Sequence, residues 1–301
     1  MASSNVELEL HRRNQMWADL STQGGPSKVS AGLLRELVIY GGASGIWVNK
    51  SVTRDLTADG AGVAVAVLHN GSSYADELSD NGLIYHFPTT KRIGQRDAAE
   101  TAALIHCAKL GLPLFVITHS DGGSSRTVTR GTVLDIDEAA GAAFITFDLT
   151  ATATAAPIGG EQAFRLDASR NEKKSLGRRL LRDPLFKFNV GKRVGWQCAV
   201  CDIRVPQLLD AAHIKGVAEG GSDDSRNGLL LCASHHRAFD RNLFRIKPDD
   251  VRVCCSDTLT AQMLGITAVQ LCEVVRPHVD ALRWRWSKGL VPVEKSRPPA
   301  A

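Results

Sequence analysis

Between residues 198 and 240 the chain places several groups that can hold a metal or move a proton: Cys198-Ala-Val-Cys201, Asp210-Ala-Ala-His213, Asn227 and Cys232-Ala-Ser-His235-His236. Cys198 and Cys201 are three apart, as are Cys232 and His235. Two ligands three apart on a tight turn can bind one ion together, and two such turns fill the tetrahedral N/S shell that Zn2+ prefers. The chain between the pairs must double back, which Gly195 and Gly220-Gly221 suit. Paired ligands in a chain that reads as lacking a secretory signal favour zinc over a disulfide. The expectation is one structural zinc on Cys198, Cys201, Cys232 and His235. His213, Asn227 and His236 lie outside that shell.

The order His213, Asn227, His236 resembles the HNH nuclease family, whose ββα-metal core carries a histidine, an asparagine and a second histidine. The resemblance implies hydrolysis of DNA phosphodiester bonds. It makes His213 the general base that deprotonates water and His236, at a helix start, a ligand of a catalytic divalent ion. Asn227 then orients the His213 imidazole or holds the loop beside it. Many relatives carry an acid or histidine directly before the base, where this chain has Ala212. Asp210 is the substitute ligand candidate and Asp240 a second. A histidine is a natural base near neutral pH. One divalent ion can stabilise phosphoryl charge and assist the leaving oxygen, and Mg2+ or Mn2+ is the expected cofactor.

A second resemblance lies near the N-terminus. Tyr74-Ala-Asp76-Glu-Leu-Ser-Asp80-Asn-Gly82-Leu-Ile-Tyr85 is similar to the signature of SRA domains, which are PUA-like β-barrels that bind DNA and hold a flipped, modified cytosine. Gly45-Ile-Trp47 before it and Gln95-x-Asp97 after it also fall where similar residues occur. The resemblance implies a base pocket lined by Tyr74, Asp76 and Tyr85. A flipped base needs an aromatic face to stack on and a polar group for its edge. Together the two resemblances imply a modification-dependent restriction endonuclease of the type IV, McrA-like kind. Its partner would be double-stranded DNA bearing 5-methyl- or 5-hydroxymethylcytosine. Two other readings stay open: an HNH nuclease with a different N-terminal targeting domain, and a non-catalytic, zinc-stabilised DNA-binding regulator.

The elements that must position these residues set the organisation. A length of 301 residues suits about two domains. The 44% hydrophobic and 23% charged fractions are ordinary for globular protein. No apolar run reaches the roughly 20 residues of a membrane helix, and the start lacks a signal peptide's basic head and apolar core. The expected location is cytoplasmic, with no membrane partner. From Glu172 to Arg193 eight basic residues face two acids, so the rest of this +4 chain is net negative. Lys173, Lys174, Arg178, Arg179, Arg182, Lys192 and Arg193 are the expected contacts to the DNA backbone, with Lys187 in the same run. Cys107, Cys254, Cys255 and Cys272 show no metal-like spacing.

The fold expected is α+β: a PUA/SRA-like β-barrel over 1–150, a linker and basic segment over 151–192, an HNH core over 193–250 and a helical extension over 251–301. A helix is expected near 5–20 and another from Asp97 to Leu110, which Gly111 and Pro113 end. Strands are expected at Leu37–Tyr40, Gly45–Asn49, Gly62–His69, Leu83–Phe87, Leu114–Thr118, Arg126–Asp135 and Ala142–Asp148. Thr150–Gly160 is simple in composition and reads as a linker. Leu176–Arg182 is expected to be partly helical, Ala233–Asp240 a helix, and Thr258–Trp286 helical in pattern. A double-strand cut by a one-site core is compatible with a homodimer.

Overall fold

The structure is a computed structural model and describes residues 2–42, 45–69, 76–79, 82–89, 96–119, 125–147, 163–167, 176–255, 261–272 and 276–290, with the backbone alone for 2–4 and 176–183. The chain divides into two compact units, Met1–Ile158 and Gly159–Ala301. The expected linker at 150–160 lies outside the described residues.

The first unit is a mixed α+β arrangement built on one seven-stranded, half-barrel sheet. Its strands are β1 (Ile46–Val48), β2 (Ala64–His69), β3 (Glu77–Ser79), β4 (Gly82–His86), β5 (Leu114–His119), β6 (Arg126–Asp137) and β7 (Ala142–Phe147). They run in the order β1-β2-β5-β6-β7-β4-β3. β2 and β5 are parallel. Such a pair needs a long crossover, and helix α4 (Arg96–Lys109) lies in it. Alternation along β5 sends Leu114 and Val116 into one core and Phe115 and Ile117 into another. The first core takes the face of α4 that carries Ala103, Leu104 and Cys107. The second takes Met16 and Leu20 of α1 (Ala2–Thr22) and Leu34 of α2 (Ala31–Glu36). Arg13 of α1 is fully buried; it pairs with Glu9 at 2.7 Å and donates to the Pro113 carbonyl at 2.6 Å. Among the described residues the end strands β1 and β3 are not paired with each other, so the sheet is open there.

Two expectations change in this unit. Leu37–Tyr40 is not a strand. Leu37 closes α2, Val38 takes a left-handed φ of 55°, and the Ile39 and Tyr40 amides both donate to the Leu34 carbonyl. β3 is a further strand, which pairs antiparallel with β4. A one-turn helix α3 (Lys50–Thr53) follows β1.

In the second unit a helix α5 (Leu176–Val194) precedes an antiparallel hairpin of β8 (Leu209–His213) and β9 (Gly228–Cys232), which runs directly into helix α6 (Ala233–Asp240). β9 is Gly-Leu-Leu-Leu-Cys and is buried at every position. Phe186 and Val190 of α5, Phe239 of α6 and the β9 leucines share one core. β10 (Phe244–Ile246) and β11 (Val253–Cys255) form a second hairpin. The expected helix over 258–286 is corrected: the described part of that stretch holds a 3-10 turn at Gln262–Leu264 and then helix α7 (Val279–Ser287). Gly265 at φ 71° ends the turn, since a residue without a Cβ takes that conformation at little cost. No helix among the described residues is long and apolar enough to cross a membrane.

Candidate active site and metal centre

Cys198, Cys201, Cys232 and His235 come together. Their ligand atoms all lie within 4.8 Å of one another, and all four residues are buried. The Cys198 amide donates to the Ile203 carbonyl at 2.8 Å, and the Ala199 amide to Leu230 of β9 at 2.7 Å, so the first turn is clamped to the hairpin. Cys232 is the residue at which β9 becomes α6, and His235 follows in the first helical turn. His235 Nδ1 lies 3.1 Å from the Cys232 sulfur and 3.5 Å from that of Cys198. Burial, with the neighbouring Cys198 and Cys232 sulfurs, pushes the Cys201 thiol up to about 12. A cation is what would let three such sulfurs share one site as thiolates. Among the described residues no other group of His, Cys, Asp and Glu converges as closely. The donor chemistry is that of a structural zinc shell.

The hairpin also positions His213. His213 ends β8 opposite Gly228. Its ring stacks on Phe186 at a centroid distance of 3.8 Å and 8° between planes. Its Nε2 lies 3.1 Å from Asp223 Oδ1. Asn227 is fully buried at the far end of the loop. Its amide nitrogen donates to the Lys215 carbonyl at 3.1 Å and the Ser222 carbonyl at 2.8 Å, and its oxygen accepts from the Lys215 amide at 3.0 Å. These bonds go to the loop, the second of the two roles expected for this residue. Gly221 belongs to the same device: a Cβ there would clash with the Lys215 carbonyl oxygen. Asp224 caps the turn that delivers Asn227. Burial alone would raise the Asp224 carboxyl, but hydrogen bonds from Arg226 and the charge of Arg193 hold it below its ordinary value.

His236 lies on α6 between two carboxylates. Its Nδ1 is 3.3 Å from Asp210 Oδ2 and its Nε2 is 3.5 Å from Asp240 Oδ2. The register makes this possible: Asp210 pairs with Leu231, one residue before the strand turns into the helix. Ala212, the position before His213 where the resemblance expected a ligand, is fully buried in the hydrophobic core. A carboxylate there would be stripped of water. Asp210, exposed on the same strand, reaches His236 instead.

Other expected site residues are placed as follows. Asp76 precedes β3, with its side chain almost wholly buried; it accepts from the His86 amide at 2.7 Å and lies 3.3 Å from His69 Nδ1. The β3–β4 register begins one residue later, with Glu77 opposite Ile84. Tyr85 is only 1% exposed and packs in the core with Ile46, Leu83 and Leu104. It is a core aromatic in this structure. Tyr74, Lys173 and Lys174 lie outside the described residues, as do the side chains of Arg178, Arg179 and Arg182. Lys192 is exposed. Arg193 is not the free phosphate contact expected. Its guanidinium donates to the carbonyls of Arg276 at 3.2 Å and Gly228 at 3.1 Å. Burial lowers it to about 10, opposed by the charge of Asp224. Lys187 of the same basic run is buried and donates to the Pro206 carbonyl. Asp223 and Phe186 touch His213 but follow no spacing rule, so the sequence did not single them out.

Residues 198–247 match the family model described as HNH endonuclease. No curated protein sequence matches the chain. Similar solved structures include the following two. One is a modification-dependent TagI restriction endonuclease: 20% identity, TM-score 0.35, 89% of this chain and 93% of that one covered. The other is a type IV phosphorothioation-dependent restriction endonuclease, ScoMcrA: 12% identity, TM-score 0.28, coverage 87% and 58%. Both likenesses are loose. The family match falls on the hairpin and helix that carry His213, Asn227 and His236, with the Cys3His cluster at their base, and so residues 198–247 are an HNH endonuclease domain.

Proposed function

We propose that this chain is a restriction-type endonuclease. Its HNH domain hydrolyses DNA phosphodiester bonds, and its N-terminal unit directs it to DNA bearing 5-methyl- or 5-hydroxymethylcytosine. The observation that carries the catalytic half is the placement of His213 and His236 on one β8–β9–α6 unit that a Cys3His cluster clamps at its base. His213 takes the proton from the attacking water. His236, with Asp210 and Asp240, supplies a nitrogen and two carboxylates suited to a hard divalent ion, Mg2+ or Mn2+. Such an ion would stabilise charge on the scissile phosphate and the leaving oxygen. Asn227 holds the loop that carries Asp223 between His213 and β9. The Cys3His zinc holds the fold and takes no part in the chemistry. A double-strand cut from one such site per chain is compatible with a homodimer.

The targeting half rests on the likeness of Tyr74, Asp76 and Tyr85 to a base-reading signature and on the hydrogen bond that Asp76 accepts from the His86 amide, next to Tyr85 in the chain. The burial of Tyr85 favours one rival, an HNH nuclease whose N-terminal unit selects its target differently. The test is cleavage of matched plasmids with and without cytosine modification, with Mg2+ or Mn2+ supplied, by wild type and His213→Ala. Cleavage of modified DNA alone, abolished in the variant, supports both halves. Equal cleavage of both plasmids removes the cytosine-reading half and leaves the rival. Binding without cleavage under every metal condition indicates a non-catalytic regulator.

A further inference from the structure

We infer that Asp223 is the positioning residue that fixes the tautomer of His213, with Phe186 holding the plane of the ring. The inference rests on His213 acting as the base, and it adds which of its nitrogens does so. A carboxylate oxygen only accepts, so the ring nitrogen 3.1 Å from Asp223 Oδ1, Nε2, carries the hydrogen. A neutral imidazole has one N–H and one lone pair. With Nε2 protonated, the lone pair is on Nδ1, and Nδ1 is the atom that takes the proton from water. The positive charge that then forms on the ring lies beside the Asp223 carboxylate, which stabilises it.

The ring has little freedom to choose otherwise. Phe186 lies parallel to it at 3.8 Å and is 2% exposed. Phe186 is itself seated against the hairpin: a Cβ on Gly228, the strand partner of His213, would meet the Phe186 ring at 2.7 Å. The loop that carries Asp223 is pinned on both sides, by Asn227 to Ser222 and by the Asp224 cap to Arg226. An edge contact and a face contact thus fix both the rotation and the tautomer of the imidazole. Asp223 neither meets the phosphate nor holds the ion in this reading.

The experiment compares full-length wild type, Asp223→Ala, Asp223→Asn, Asp223→Glu and His213→Ala. It measures kcat and KM on a plasmid substrate across a Mn2+ titration, and records nitrogen-15 NMR of the histidine rings. The expected result is a kcat about 10- to 100-fold lower in Asp223→Ala, a share of the roughly 10²- to 10⁴-fold that a positioned base supplies. KM and the half-saturating Mn2+ concentration should not move, and Asp223→Glu should recover part of the loss. In wild type the His213 ring should show the Nε2–H tautomer. Unchanged kcat in Asp223→Ala overturns the inference. So does activity restored by excess Mn2+, which would make Asp223 an ion ligand, and so does an Nδ1–H signal for His213 in wild type. The wild-type spectrum decides the matter even if a variant fails to fold. Full activity in His213→Ala would instead overturn the underlying assignment of the base, so the two failures are distinct.

Discussion

His235 Nε2 lies 2.9 Å from the carbonyl oxygen of Leu264. A carbonyl only accepts, so Nε2 carries the hydrogen and the Nδ1 lone pair points at the Cys232 and Cys198 sulfurs. The 3-10 turn at Gln262–Leu264 therefore acts on the Cys3His cluster from 29 residues away in sequence. It fixes the tautomer that a zinc-binding histidine needs.

One zinc per chain should follow purified protein, measured by elemental analysis. A strong chelator or Cys198→Ser should unfold the second unit, because the ligands tie the Cys198 turn to β9 and α6. Protein that stays fully folded with no bound metal would remove the site.

Asn227→Ala should lower stability by about 3 kcal/mol. The substitution leaves the Lys215 amide and the Lys215 and Ser222 carbonyls without their partner in a buried place, and each orphaned group costs roughly 1–3 kcal/mol. Activity should fall with it, because the loop it holds carries Asp223. Urea unfolding checks the first effect. A fully stable but inactive variant would mean that Asn227 acts on the chemistry directly.

The convergence of Cys198, Cys201, Cys232 and His235 was legible in the sequence because each pair is local: two ligands three apart on one turn need no knowledge of the fold. The long strands were legible for the same reason, as β-branched runs between turn residues. Leu37–Tyr40 misled because its run of Leu, Val, Ile and Tyr has strand composition, while the chain there closes a helix against the Leu34 carbonyl. The stretch after Thr258 misled because its apolar spacing is helical, yet Leu264 is needed as an acceptor for His235 and Gly265 breaks the run. Asp223 and Phe186 were not legible at all. What selects them is the ring of His213 in space, which no spacing along the chain encodes.

Asp76 gives a prediction about pH. Burial would raise its carboxyl, but hydrogen bonds from His69 and His86 hold it below its ordinary value. A carboxyl depressed on folding stabilises the protein fully above its unfolded pKa of about 3.9, and that contribution is lost as pH falls through the lower folded value. Asp76→Asn should therefore cost about 2 kcal/mol at pH 7. The gap to wild type should close as pH drops below about 4. Paired denaturant melts from pH 7 to pH 3 measure it. A gap that stays constant would mean that the charge of Asp76 contributes nothing.

Neighbouring basic residues at the end of α5 should behave in opposite ways. Lys192 is exposed, so Lys192→Ala should cost no more than about 1 kcal/mol, the range of a surface interaction. If Lys192 meets a phosphate, DNA affinity should drop evenly across sequences, and the slope of log affinity against log salt should shrink by about 1. Arg193 is committed to the Gly228 and Arg276 carbonyls. Arg193→Ala strips donors from both carbonyls, one of them on the residue that pairs with His213. It should destabilise the second unit by about 2–3 kcal/mol. It should also slow cleavage at saturating DNA while leaving the salt slope unchanged. Thermal melts and salt titrations of the two variants, run side by side, check the contrast. A reduced salt slope in Arg193→Ala with normal stability would put that guanidinium on the phosphate backbone, and the carbonyl contacts would then give way when DNA binds.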